Sequence, residues 1–329
     1  MTAIDDPRVQ RVLRLPEQDE ALWQSDLERF QRGDLTLTRQ SAGEASIKAA
    51  QRLLIFLGYS TSSTGAFSID GNFGRGTNRA VAQFQFEHGL TRSITRDPLC
   101  YACTWQTASQ NIVGIPNAKL TPPTLERMLD EALAMIERNE VMCGDFEEAI
   151  FHLNALHRGG LLSCKAIETR YGAFVDQGIA GVEAEGIRIV RNWPLAIIKQ
   201  ETGGIVRPRF EQHLLTRLSN GDRKGDFVDL RFRSMSMGVG QILGDNFKRV
   251  RAPSARRMYL SPIAEQVAQI ARFLAGSSAV ADVVSRSKPK EADFRTVARY
   301  YNGPGYEKHH YHESLATWFR EFDAIAAAA

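Results

Sequence analysis

Apolar residues recur at helical spacing along most of the chain. Ile47, Ala50, Leu54 and Leu57 share one face, and Gly58 closes the run, which predicts a helix. A polar stretch from Ser60 to Phe67 follows. Asp70-Gly71-Asn72-Phe73-Gly74 then reads as a tight turn, because its glycines reach positive φ and Asp70 and Asn72 can bond back to the backbone. The next helix is predicted from about Thr77 to His88, with Ala80, Val81 and Phe84 inward and Gly89 as its stop. Thr121 followed by Pro122 and Pro123 is a helix start. Leu125, Met128, Leu129, Ala132, Leu133 and Ile136 continue it as one apolar stripe. Residues 1–45 are polar and weakly periodic, and read as a leader with one short helix near Glu17–Gln31.

The second half carries the same period. Helices are expected at Phe146–His157, Lys165–Tyr171 and Pro194–Thr202, the last ended by Gly203-Gly204. Another opens at Ser261-Pro262 and places Ile263, Val267, Ile270, Ala271 and Leu274 on one side. Phe294–Tyr301 and Leu315–Ile325 complete the set. Asn220 to Met237 is polar, Arg-rich and partly alternating, and reads as a short hairpin. The fold class is mainly α: a small three-helix module, then a larger helical domain with at most one β-hairpin. The division read from the chain is 1–45 leader, 46–140 module (with an insertion at about 91–118) and 141–329 second domain.

Composition narrows what such a fold can do. The 329 residues are 43% hydrophobic and 24% charged, with a net charge of +3. That balance is globular, and too weakly basic for a nucleic-acid binder. No apolar run approaches the ~20 residues of a membrane span, so no stable membrane insertion is expected. The first residues lack the apolar core of a secretory signal. The charge is uneven, with net −3 over residues 1–145 and net +6 over 146–329. The basic half favours an anionic target, or is simply a solvated surface.

Glu201 breaks a local rule. It stands in the last turn of an apolar helix, where the helix dipole disfavours a negative charge. That field, and burial among Leu195, Ile197 and Ile198, both raise a carboxyl pKa. A proton donor to a glycosidic oxygen needs such a raised pKa. Taken alone, Glu201 reads more readily as a surface glutamate without a role. Its neighbours reverse that balance. Gly238-Val239-Gly240-Gln241 lets a ligand approach the backbone closely and supplies an amide. Tyr301-Asn302-Gly303-Pro304-Gly305-Tyr306 offers aromatic faces and polar groups suited to sugar rings.

These ordered motifs resemble those of goose-type lysozymes and lytic transglycosylases. From about 190 to 322 the chain is more closely similar to the N-acetylmuramidase domain of modular phage endolysins and secreted antibacterial effectors. Arg207-Pro208, Phe210-Glu211, His213, Ser236, Gln241-Ile242 and Tyr311 carry that likeness. Residues 46–90 resemble the peptidoglycan-binding domain of cell-wall hydrolases through Leu57-Gly58-Tyr59, Asp70-Gly71-Asn72-Phe73-Gly74, Thr77, Ala80-Val81 and Phe84-Gln85.

The resemblance implies a lysozyme-like catalytic domain that cleaves the β-1,4 bond from N-acetylmuramic acid to N-acetylglucosamine. It implies Glu201 as general acid and Glu211 as the second acidic position, placing or activating water. It assigns Gln241, Gly238, Gly240, Tyr301, Asn302, Tyr306 and His213 to substrate, and Asp70, Gly71, Phe73 and Thr77 to the wall-binding module. Inversion with water would set the carboxyls about 6.5–9.5 Å apart. Attack by the muramic 6-hydroxyl, giving an anhydro sugar, is the transglycosylase alternative. No cofactor is implied. Two departures from the motif stand out: the segment between the two glutamates is short, and His312 stands where an acidic residue is usual.

Peptidoglycan is the expected partner, and the chain is expected to act in the periplasm or wall of a bacterium. A phage lysin would depend on a holin. An effector injected into rival cells would depend on a secretion system and be matched by an immunity protein. A non-catalytic wall-binding protein is the reading from another class. Tethering by the module predicts that loss of residues 1–140 lowers activity on whole sacculi far more than on short soluble fragments.

Other motifs carry weaker chemistry. Cys100 and Cys103 form one C-x-x-C without a second pair, and read as buried or free thiols, with a metal site completed by Cys143, Cys164 or a histidine as the lesser alternative. His309, His310 and His312 form a dense group that reads as a groove-lining loop or as exposed, with a metal site as the lesser alternative. Asp70 and Asn72 lack the later Glu of a calcium loop. Arg207, Arg209, Arg217, Arg223, Arg231 and Arg233 read most simply as a solvated face, with attraction of anionic wall polymer or outer-membrane lipid as the alternative.

Overall fold

A computed structural model describes the chain apart from residues 1, 14–20, 22–23, 26–27, 30–31, 34, 42–43, 63–64, 91–117, 141–159, 207, 220–225, 260 and 329. The described residues form thirteen α-helices and three short strands. In chain order these begin with α1 (Pro7–Leu13), α2 (Glu44–Phe56), α3 (Arg75–Glu87), α4 (Pro122–Glu137), α5 (Cys164–Glu183) and α6 (Asn192–Thr202). Next come β1 (Arg209–Phe210), α7 (Gln212–Ser219), α8 (Phe227–Arg233), β2 (Met235–Met237) and β3 (Ile242–Leu243). Then follow α9 (Ala255–Met258), α10 (Ile263–Ala275), α11 (Ser278–Val284), α12 (Glu291–Tyr301) and α13 (Tyr311–Ala327). The mainly α class read from the sequence is the observed one.

Two compact units divide the chain. The first comprises residues 1–153 and 208–236, and the second 154–207 and 237–329. The first is therefore discontinuous. It includes residues 1–45 and a stretch that lies, in sequence, well inside the second half.

In the first unit α1 packs on α2 and α4, with Val9, Val12 and Leu13 fully buried. These early residues thus belong to a core and are not only a polar leader. Of the short helix expected at 17–31, several residues lie outside the described ones. Arg52, itself buried, donates from Nε to the Val12 carbonyl at 2.7 Å and from Nη2 to the Arg11 carbonyl at 3.2 Å. These carbonyls stand in the last turn of α1, where a cation suits the negative end of the dipole. The side chain of Gln51 staples the turn before α3. Its Nε2 meets Asp70 Oδ1, the Asn72 carbonyl and Thr77 Oγ1 at 2.8, 3.1 and 3.0 Å, and its Oε1 accepts from the Gly71 N–H at 3.0 Å.

The hairpin expected over Asn220–Met237 is replaced, among the described residues, by a helix and one strand that pairs outside that range. β1 pairs antiparallel with β2, Arg209 opposite Ser236 and Phe210 opposite Met235. Between them lie two helices. The Asp226 side chain caps α8 by accepting from the Asp229 N–H at 2.7 Å. That cap and a buried face of Leu230, Arg231 and Phe232 make 227–233 helical where the residue types alternate.

In the second unit α5 packs along α10, and α6 along α13. α5 runs to Glu183, far beyond the short helix expected at 165–171. Its glycines dilute the apolar stripe yet serve the packing: a Cβ on Gly178 would lie 2.6 Å from the Ala264 carbonyl oxygen and 2.8 Å from the Val267 side chain. Trp193 is fully buried, with its ring centroid 5.1 Å from Phe294 and 5.0 Å from Phe319. This aromatic core joins α6 to α12 and α13 and fixes the direction in which α6 ends. α9 and α11 have no counterpart among the helices expected from the sequence. The helix expected at 146–157 lies outside the described residues.

Candidate active site

Glu201 sits one residue from the end of α6. Gly203 and Gly204 follow with φ of 57° and 77°, the left-handed region that glycine enters without strain. The turn is tied on both sides. Leu162 N–H donates to the Gly203 carbonyl at 2.8 Å, and Tyr171 Oη donates to the Gly204 carbonyl at 2.7 Å. A Cβ on either glycine would lie about 2.8 Å from Leu161 or Ile167. The double glycine thus ends the helix and lets neighbouring chain approach the last turn.

The carboxyl of Glu201 accepts from Tyr311 Oη at 2.5 Å. The residue is half-buried, but its carboxyl lies deep, and burial pushes its pKa up to about 7 against a lowering pull from the Tyr311 hydroxyl. Burial also raises the Tyr301 and Tyr311 phenols well above the ordinary tyrosine range, and the nearby Glu201 charge adds to both. Tyr311 thus remains a donor at any pH where the site works.

A second loop closes on this helix end. Thr202 Oγ1 donates to Ile198 O at 2.8 Å and lies 3.2 Å from Val239 O. Val239 N–H donates to Gln266 Oε1 at 2.8 Å, and Gln241 Nε2 donates to Gly238 O at 3.0 Å. Gln241 has φ 49°, a strained value for a side-chain-bearing residue. Tyr301 Oη donates to Gly240 O at 2.7 Å, which ties α12 to the same loop. Glu201, Tyr301, Tyr311 and the 238–241 loop are therefore brought together within one unit. Asn302 is exposed at the end of α12. Tyr306 is buried, its ring edge-on to His312 at 5.3 Å and its hydroxyl 2.9 Å from Glu307.

Gly240 has no room for a side chain. A Cβ there would lie 2.6 Å from Ile270 Cγ1 and 2.7 Å from Tyr301 Oη. Gly240→Ala is expected to displace Tyr301 and to lower turnover at least about tenfold, while costing about 1–3 kcal/mol of stability. Wall-clearing assays beside urea denaturation check both.

Glu211 belongs to the first unit and Glu201 to the second. Glu211 carries Arg209 Nε at 3.2 Å, and His213 Nδ1 lies 3.9 Å away, with the His213 side chain exposed. The Glu211 N–H donates to Ser234 O at 2.8 Å, which fixes its backbone beside β2. In the Asp70–Gly74 turn and the start of α3, Asp70 is exposed, Gly71 has φ 71°, and Phe73 and Thr77 are buried inside the unit.

Two expectations change. Arg231 is not on a solvated face: it is buried beside Glu87 at 3.2 Å. Its partner stands 144 residues away in sequence, so local charge density does not reveal the pairing. His312 is not exposed either, being 3% accessible, whereas His309 and His310 are exposed. Gln51 and Tyr311 are structural keys of their sites that composition does not single out, although Tyr311 stands in the motif. Arg207, Arg223, Cys100, Cys103 and Cys143 lie outside the described residues. Cys164 is buried, which pushes its thiol up to about 12. Among the described residues no helix is long and apolar enough to cross a membrane.

Residues 229–323 match the family described as "N-acetylmuramidase", and residues 43–93 match the one described as "Putative peptidoglycan binding domain". The first match takes in Gln241, Tyr301 and Tyr311 but neither Glu201 nor Glu211. No curated protein matches the chain. Among solved structures, the Burkholderia AP3 phage endolysin is similar at 21% identity over 88% of this chain and 99% of that one, with a TM-score of 0.26. The chain thus joins an N-terminal peptidoglycan-binding domain to a C-terminal N-acetylmuramidase domain, and is a cell-wall hydrolase of the lysozyme type whose substrate is peptidoglycan.

Proposed function

We propose that the chain hydrolyses the β-1,4 bond between N-acetylmuramic acid and N-acetylglucosamine, with Glu201 as general acid. The observation that carries this reading is the Glu201 carboxyl, with its pKa raised to about 7 by burial and its orientation set by Tyr311. Near neutrality a large fraction of such a group still holds its proton, which it delivers to the leaving oxygen as charge develops on the sugar. Tyr311 donates to Oε1, so that oxygen is engaged and the Glu201 proton belongs on the other one. Glu211 takes the water-activating role.

Mass spectrometry of digested peptidoglycan tests the chemistry. Reducing muramic ends are expected, and anhydromuramic ends would replace the hydrolase reading with the transglycosylase one. Glu211→Gln is expected to lower turnover on soluble glycan without altering the product.

Tyr311→Phe isolates the hydrogen bond. Its loss removes the influence that lowers the Glu201 pKa, so the acid stays protonated to higher pH. The alkaline limb of the kcat/KM profile is expected to move upward in pH, while kcat falls on the order of tenfold through lost orientation. An unmoved alkaline limb would separate Tyr311 from the acid's titration.

A further inference from the structure

A trough opens within the first unit, between the 3₁₀ turn Ala3–Asp5 and one stripe of α4. Its volume is about 380 Å³, in the range of ligand pockets. The floor is apolar. Ile4, Leu125 and Leu129 line it and are buried, and Leu133 extends it as a half-buried residue. Both walls are held from within the unit. Thr2 N–H and Thr2 Oγ1 donate to Asp5 Oδ2 at 3.0 and 2.7 Å, and Gln10 Nε2 donates to the Ile4 carbonyl at 3.0 Å, which fixes the turn. An adjoining face of α4 buries Met128, Ala132 and Met135, so the helix is anchored while its trough side stays open.

Two carboxylates rim this floor. Glu126 and Asp130 are exposed and stand one turn apart on α4. Among the described residues neither has a hydrogen-bond or ion-pair partner. Both lie beyond the first turn of the helix, so the dipole does not account for them. Like charges at this spacing destabilise a helix, and a bound cation relieves that repulsion. Among the described lining residues these two are the only charged ones, and none is aromatic or carries an amide. The trough therefore lacks the ring platforms and amides that suit a sugar. It suits an aliphatic chain that ends in an ammonium group. From Leu125 to Leu133 the stripe runs about 12 Å, the span of roughly three or four residues of extended peptide.

The trough stands outside residues 43–93, which carry the peptidoglycan-binding match. Peptidoglycan presents aliphatic ammonium groups on the diamino acid of its peptide stems. We propose that the trough binds this side chain, its methylenes on Ile4, Leu125 and Leu129 and its ammonium between Glu126 and Asp130. The first unit then reads the peptide of the wall and not its glycan alone. This inference rests on peptidoglycan being the substrate.

Isothermal titration of the full chain with a lysine-containing stem tetrapeptide tests it. The peptide has no glycosidic bond, so binding is read apart from cutting. Wild type is expected to bind it at least about tenfold more tightly than the same peptide with its lysine amine acetylated. Glu126→Gln combined with Asp130→Asn is expected to abolish that preference at an unchanged melting temperature, because both positions are exposed. Leu133→Gln is expected to weaken both peptides alike. The preference is further expected to shrink as salt rises.

Equal affinity of wild type for the two peptides overturns the proposal, and so does a preference that survives in the double variant. Equally tight binding of 1,5-diaminopentane overturns the assignment to the wall, because the trough then reads an amine without its peptide. Retention of wild type on sacculi measures peptidoglycan binding itself, so failure of the trough is distinguished from failure of that premise.

Discussion

Glu201→Gln is expected to abolish wall clearing and, above neutral pH, to make the protein more stable. Loss of a general acid costs about 10²–10⁴ in rate, which removes a cleared zone from a zymogram. The stability gain follows from the same raised pKa. Between pH 4.5, the ordinary glutamate value, and about 7, the folded chain keeps a proton that the unfolded chain has released. Stability therefore falls as pH rises through that window, and the whole loss is present above it. The gap between the folded and unfolded pKa values corresponds to at most about 3 kcal/mol. Glutamine carries no charge at any pH and still accepts from Tyr311, so the variant escapes this loss. Its melting temperature is expected to match wild type near pH 4 and to exceed it by roughly 6–12 °C near pH 8. A variant that is inactive but no more stable at pH 8 would mean that the carboxyl titrates like a free one.

The second large effect concerns the buried pair of Glu87 and Arg231. Arg231→Met leaves the Glu87 carboxylate desolvated without its cation, though Tyr59 still donates to it, and leaves the Leu57 and Gly58 carbonyls without their cation. Such a change costs about 3–5 kcal/mol. Combining it with Glu87→Gln removes both charges, and most of that cost is expected to return, leaving a loss below about 2 kcal/mol. The single variant is further expected to recover at low pH, where Glu87 can take a proton. Burial already raises the Glu87 pKa in the intact cluster, and loss of Arg231 removes an interaction that lowers it. Urea denaturation at pH 5 and pH 8 separates these cases. Equal losses for the single and double variants would show that packing, and not charge, holds α8 in place.

Most of the fold is legible where one apolar stripe meets a clear stop. α2, α4, α10 and α13 show this, with Gly58, the Thr121-Pro122-Pro123 start or Ser261-Pro262 marking an end. α5 reads short in sequence because Gly172 and Gly178 replace stripe residues where neighbours press against the helix, and only a small residue lets them approach. α8 does not read as a helix because its inward position is an arginine. Nothing local distinguishes a cation that faces water from one that faces Glu87. At the site, Glu201 stands out because it contradicts the helix dipole, and the glycine and tyrosine motifs stand out as sugar-binding chemistry. What holds Glu201 in place is less visible: Tyr311 lies 110 residues on, and its hydrogen bond is a product of how α6 meets α13.

The distance in sequence between Glu87 and Arg231 also sets a schedule for biosynthesis. A ribosome adding about 5–20 residues per second needs roughly 7–30 s to travel from one to the other. During that interval a nascent α3 exists without the cation that its final turn requires. The first unit cannot close until α8 has been made, by which time Glu201 and the whole of α5 and α6 are already outside or within the exit tunnel. A part of the enzyme that is translated early is therefore among the last to complete its interior, and translation pauses placed between codons 87 and 231 should affect yield more than pauses placed after codon 236.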